Sequence, residues 1–149
     1  ESGDEIFFEE IANEHAPHVL NGCIFALWGL CELSRVNPQP WMQERIERSV
    51  GTLKAWLPKF DSGWWSLYSL MKSASGQPHL ATLKYHQFHI AQMRVLGKMF
   101  SEPSFTKDAD RWTEYANECG SRSRLVRTTL RSLPERIFGR DTVVGGAHT

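Results

Sequence analysis

The residues best suited to chemistry lie between Tyr68 and His89. Trp64, Trp65 and Tyr68 place three aromatics within five residues, just after Asp61-Ser62-Gly63. Aromatic faces stack on sugar rings, and the same rings can plug the mouth of a helical domain, so contact and packing both stay open. Tyr68 and Tyr85 each carry a phenol, which ordinarily titrates near pH ~10. Tyr85 also heads the stripe Tyr85, His89, Met93, Leu96 and Phe100, which suits core packing equally well. His86 and His89 stand three apart, as in a metal pair on one helix face, but no third ligand follows at a recognisable spacing. Hydrogen bonding around Tyr85, or a core position for His89, is the expectation, and no metal.

The elements that must position these groups read as helices. Residues His18 to Val36 are apolar nearly all round, which predicts a helix enclosed on every side. After a break at Asn37 to Pro40, Met42, Ile46, Val50, Leu53 and Leu57 recur at spacings of three and four, with Glu44, Arg45, Glu47, Arg48 and Lys54 on a wet face. An enclosed helix followed by an amphipathic one is the unit of helical-hairpin toroids. Pro58 to Gln77, rich in Gly, Ser and aromatics, predicts a structured loop or short hairpin near 59–77. A third helix is expected from Pro78 to Phe100. A fourth follows, N-capped by Ser101, carrying Phe105, Ala109, Trp112 and Ala116, and closed by Gly120. Arg122 to Leu133 predicts a basic helix, and Val143 to Ala147 a disordered tail. The fold class is therefore all-α: antiparallel helical hairpins resembling part of an (α/α) toroid, with residues 1–123 as the helical domain and 124–149 as basic helix and tail.

The 149 residues fit one domain, and Lys plus Arg balance Asp plus Glu at 17 each, so no global charge steers the chain toward nucleic acid. The ends differ: the first twenty residues hold six acids and no Lys or Arg, while residues 121–140 hold six arginines against Glu135. Arg124, Arg127 and Arg131 form a stripe whose default reading is a solvated face, with an anionic polysaccharide as the next. Cys23 and Cys31, eight residues apart on a helix, lie roughly 12 Å apart and cannot bridge; buried structural thiols are expected. The stretch from Glu1 has neither a basic n-region nor an apolar run that would cross a bilayer, so no signal peptide, membrane span or membrane partner is expected, and a fragment or stand-alone module is.

Val19-Leu20-Asn21-Gly22, Pro58-Lys59-Phe60-Asp61-Ser62-Gly63, Leu67-Tyr68-Ser69-Leu70 and Tyr85-His86-Gln87-Phe88-His89-Ile90 follow one another in an order that resembles the C-terminal domain of the D-glucuronyl 5-epimerases. Ser101 to Phe105 and Arg111-Trp112 resemble the family's closing segment, so the similarity spans about Phe7 to Ser123. The resemblance implies an isomerase that inverts carbon 5 of glucuronate within a polysaccharide such as the heparan sulfate precursor, giving iduronate. It implies no redox cofactor. By position Glu10 matches the family's catalytic glutamate, Tyr68 and Tyr85 its tyrosines, and Asn21 its substrate-holding asparagine. Lys72, His79, His86 and Trp65 complete the expected substrate-binding set.

The departures are specific. Met71 stands where the family has an arginine, with Lys72 beside it; Phe25 and Ile11 replace tyrosines; and Thr82-Leu83 replace an arginine and a tryptophan. The family also builds its cleft with β-rich N-terminal domains, so a β-rich domain or second chain is implied as a partner, and a homodimer stays open. Two rival readings remain: a non-catalytic carbohydrate-binding or assembly module, and a lyase in which the same abstracted proton is followed by elimination.

Overall fold

Apolar spacings of three and four residues are realised as two helical hairpins with a β-hairpin between them. The computed structural model describes residues 5–11 and 16–138, the side chains as far as Leu130. Helices α1 (Leu20–Val36) and α2 (Pro40–Trp56) make the first pair, and a 3-10 turn, Leu57–Phe60, leads into the antiparallel strands β1 (Leu67–Lys72) and β2 (Pro78–Leu80). Helices α3 (Leu83–Met99) and α4 (Pro103–Asn117) make the second pair, and α5 (Cys119–Phe138) follows. The fold is thus mostly helical, with a short hairpin where one was expected. No helix among the described residues is long and apolar enough to cross a membrane.

Each helix of the two pairs contributes one stripe to a common core: Leu20, Cys23, Ile24, Leu27 and Cys31 from α1, Ile46 and Leu53 from α2, Ile90, Met93 and Leu96 from α3, and Phe105, Ala109, Trp112 and Ala116 from α4. Leu57 and Phe60 close it beneath the 3-10 turn. Gly97 lets α3 and α4 meet closely, since a Cβ there would sit 2.5 Å from Thr106 Oγ1. Cys23 and Cys31 are buried free thiols, as expected, and burial pushes the Cys23 thiol up to about 12.

Several expectations are corrected. Helix α1 is not enclosed on every side: Phe25, Leu33 and Val36 are 45%, 48% and 84% exposed, because one face alone meets the core and the apolar residues between its members point away. Helix α3 begins at Leu83 rather than Pro78, because Thr82 Oγ1 accepts from Tyr85 N as the N-cap while Pro78 to Leu80 pair with β1. Glu102, not Ser101, caps α4; its Oε1 accepts from Ser104 N and Oγ, whereas Ser101 has φ 52°. Gly120 does not close α4, which ends at Asn117, and lies inside α5. The Arg122 Nε donates to the Ala116 carbonyl at 2.7 Å, and Arg124 lies 4.4 Å over the Trp64 ring, so the basic stripe is partly tied to the fold. The tail at Val143 to Ala147 lies outside the described residues.

Asp61 joins the two halves. Its carboxylate, 10% exposed, accepts from Gly63 N at 2.7 Å, Arg111 Nε at 2.9 Å and Trp112 Nε1 at 3.1 Å, tying the turn before β1 to α4. Removing it strands two donors and a half-exposed guanidinium, so Asp61→Ala is expected to cost about 2–3 kcal/mol. Chemical denaturation of parent and variant measures this, and a loss below about 0.5 kcal/mol, the ordinary scale of a surface substitution, would show the cluster to be incidental.

Candidate functional site

Two strands and two helices converge on a pair of tyrosines. Tyr68 projects from β1 and Tyr85 from the first turn of α3; their rings meet edge to face with centroids 4.8 Å apart. His79 on β2 completes the row, its ring 5.0 Å from Tyr68 and its Nδ1 2.8 Å from Ser69 Oγ. The Tyr68 hydroxyl is held above its ordinary pKa by burial first, then by the charge of Glu10 and by Tyr85, to which it is hydrogen-bonded. A phenol so placed stays protonated, which suits it to donate.

Glu10 reaches this corner on the N-terminal segment that lies across α2. Ile6 N donates to Thr52 Oγ1 at 2.8 Å, Trp56 Nε1 donates to Glu5 Oε1 at 3.1 Å, and Phe7 stacks on Trp56. Glu9 accepts from His18 N and pairs with the His18 ring, folding the segment back toward α1. There Gly22 makes room: a Cβ on it would stand 2.6 Å from Glu10 Oε2 and 2.9 Å from Glu10 Cβ. Gly22→Ala should therefore leave α1 formed, alanine being the better helix residue by about 1 kcal/mol, yet drive Glu10 away. The Tyr68 hydroxyl is then expected to ionise at lower pH than in the parent, read by ultraviolet titration of tyrosine. An unchanged curve would mean that Glu10 does not act on Tyr68.

A small open cavity of ≈ 240 Å³ adjoins the pair, lined by Asn21, Phe25, Lys84, Tyr85 and Phe88. It is below the roughly 300–1,000 Å³ of pockets that enclose a drug-sized ligand. Asn21 lines this cavity and is 8% exposed; its Oδ1 is buried and accepts no hydrogen bond among the described residues.

The sequence-predicted residues thus divide. Glu10, Asn21, Tyr68, His79 and Tyr85 come together. Lys72 is exposed at the turn end of β1, where it pairs with Pro78. Trp65 and His86 are fully buried and offer no surface to a ligand, which corrects their expected role. Trp65 Nε1 donates to the Ala81 carbonyl at 2.8 Å while its ring stacks on His86 at 3.8 Å. His86 and His89 do not bond around Tyr85: both Nδ1 atoms meet Ser66 Oγ, at 2.8 and 3.0 Å, and His86 Nε2 donates to the Trp112 carbonyl at 2.9 Å. Among the described residues no group of three His, Cys, Asp or Glu could hold a metal. Lys84, Phe88 and Ser66 were missed; Lys84 carried one usable signal, a cation directly before a candidate tyrosine.

On a mostly helical scaffold, a tyrosine pair, a carboxylate and an asparagine thus stand together beside a small cavity. The family model described as the D-glucuronyl C5-epimerase C-terminus matches residues 1–114, and the chain belongs to that family. It is 32% identical over 124 residues to a D-glucuronyl C5-epimerase of Caenorhabditis elegans, a match covering 74% of this chain and 20% of the relative. It is 26% identical over 108 residues to an uncharacterised protein of Methanocaldococcus jannaschii, covering 72% of this chain and 33% of that protein. The chain thus spans a fifth to a third of the curated relatives it matches. Helix α5 falls outside the family match.

Proposed function

We propose that this chain carries the proton-transfer site of a uronate 5-epimerase acting within a glycosaminoglycan-type polysaccharide and turning D-glucuronate into L-iduronate. The observation that carries the reading is the Tyr68 and Tyr85 pair beside a cavity with Asn21 on its wall and the Glu10 charge behind. Epimerisation breaks the bond between carbon 5 and its hydrogen, and the electron pair passes into the adjoining carboxylate. A proton then returns to carbon 5 from the opposite face, with no net oxidation.

Tyr85 lines the cavity and would face the ring, whereas Tyr68 stands behind it, hydrogen-bonded to it and kept protonated. The row Glu10, Tyr68, Tyr85 supports a relay through which a proton reaches or leaves one face of the sugar. The group for the other face would enter from the open side of the cavity, where a β-rich domain or a second chain completes the cleft. Incubating a glucuronate polysaccharide with the protein in deuterated water, alone and with that completing part, tests the reading: deuterium should enter at carbon 5. No exchange in either setting overturns it. Binding without exchange would support the second reading, a carbohydrate-binding module, which the exposed Met71 on β1 favours by leaving that strand without a charge next to the tyrosine pair.

A further inference from the structure

An enzyme that draws a proton from the carbon beside a carboxylate must hold that carboxylate and balance the negative charge that grows on it. Strand β1 offers only Met71 and, at its exposed end, Lys72. The cavity wall offers one cationic residue, Lys84, next to Tyr85 in the chain and sharing the lining with Asn21. Among the described residues no ion pair engages Lys84.

Its position is unfavourable for the helix that bears it. Lys84 sits in the first turn of α3, a turn with no acidic residue, where the exposed backbone N–H groups already carry partial positive charge. A lysine there weakens the helix, and being exposed it adds nothing to the core. Local rules broken without a packing gain are expected at functional positions. The same end of α3 would reinforce the lysine toward an anion, and the Thr82 cap fixes the turn on which both depend.

We propose that Lys84 binds the substrate carboxylate, supplying from α3 the cation that Met71 does not supply from β1. This rests on the uronate reading above. Asn21 lines the same cavity, so the two residues orient the uronate with carbon 5 toward Tyr85.

The test is binding rather than turnover. A glucuronate-containing oligosaccharide and its carboxyl-reduced counterpart are titrated against the full chain, the Lys84→Gln and Lys84→Arg variants, and Lys107→Gln as an equal charge change on α4. The parent should prefer the uronate, with affinity falling as salt rises. Lys84→Gln should weaken uronate binding about 10- to 100-fold, the range for one charged hydrogen bond, while leaving the reduced sugar unchanged. Lys84→Arg should retain the preference, and Lys107→Gln should match the parent. Because removing the lysine relieves α3, helical circular dichroism should be equal or higher in Lys84→Gln, separating lost binding from lost fold. A Lys84→Gln variant that keeps the full uronate preference overturns this assignment and leaves the epimerase reading standing. A parent that binds neither ligand, or binds both alike, both alone and with the part that completes the cleft, overturns the two together.

Discussion

Replacing Tyr85 with phenylalanine is expected to slow deuterium entry at carbon 5 by about 10²- to 10⁴-fold, the usual range for losing a positioned general acid or base. The fold should not change, because the ring keeps its volume and edge-to-face partner, and the α3 cap runs from Thr82 Oγ1 to the Tyr85 backbone N rather than to the hydroxyl. Polysaccharide binding should persist for the same reason. Tyr68→Phe should cost less, since Tyr68 does not line the cavity and would act through Tyr85. In a relay the two losses do not add, and the double variant should be little slower than Tyr85→Phe alone. Equal exchange by Tyr85→Phe and the parent would remove Tyr85 from the chemistry. A larger loss from Tyr68→Phe would reverse the order of the relay.

Mild acid should unfold the protein through a different set of residues. Burial lowers the pKa of His86 and holds His89 down at about 3; the Trp112 carbonyl and the Asp61 charge partly offset burial at His86, and His86 itself adds to the effect at His89. In the unfolded chain both titrate near pH ~6.5. Between pH ~6.5 and about 3 the unfolded state therefore binds protons that the folded state refuses, and stability falls as pH falls. At pH ~5 His89 alone accounts for about 2 kcal/mol, at roughly 1.4 kcal/mol per unit, and His86 acts in the same direction. Urea unfolding at pH ~7 and ~5 measures the difference. His89→Leu should remove about one proton from the slope, because leucine fills the site without titrating. An unaltered slope would place the acid sensitivity elsewhere.

How much of this was legible in the sequence depended on whether the signal was local. Met42, Ile46 and Leu53, and likewise Met93 and Leu96, recur at helical spacing and are buried on the faces that spacing marks. Helix α1 was legible as a helix but not as a surface. When nearly every position is apolar, periodicity cannot say which face meets the core, so Phe25 and Leu33 read as buried and are not. Pro78 looked like a helix start because proline suits the first turn, yet proline suits an edge strand as well; the Thr82 side chain three residues before Tyr85 was the better signal. The tyrosine pair was legible through family resemblance alone, since no spacing in the sequence joins Tyr68 to Tyr85. The cavity was not legible at all. Asn21 and Lys84 come from different helices, and only the packing of α1 near α3 sets them on one wall. Ser66, an ordinary serine in sequence, gains its role from the two histidines that fold over it.

The segment entering α1 runs alongside β1 before the helix starts: Leu70 N donates to the Pro17 carbonyl at 3.1 Å, and Val19 bridges Ser69. Asn21 lies two residues after Val19, and Tyr68 precedes Ser69 directly. The strand that bears Tyr68 and the helix that bears Asn21 are therefore welded at a shared backbone corner, and their separation is fixed by main-chain geometry rather than by side-chain packing. Tyr85 lies a turn beyond its own main-chain link to that strand, Ala81 N to the Ser66 carbonyl at 3.0 Å, and takes its position from α3. A core substitution that tilts α3 about that link would thus move one jaw of the site against a stationary anvil, altering the width of the mouth while leaving Tyr68 and Asn21 in mutual register.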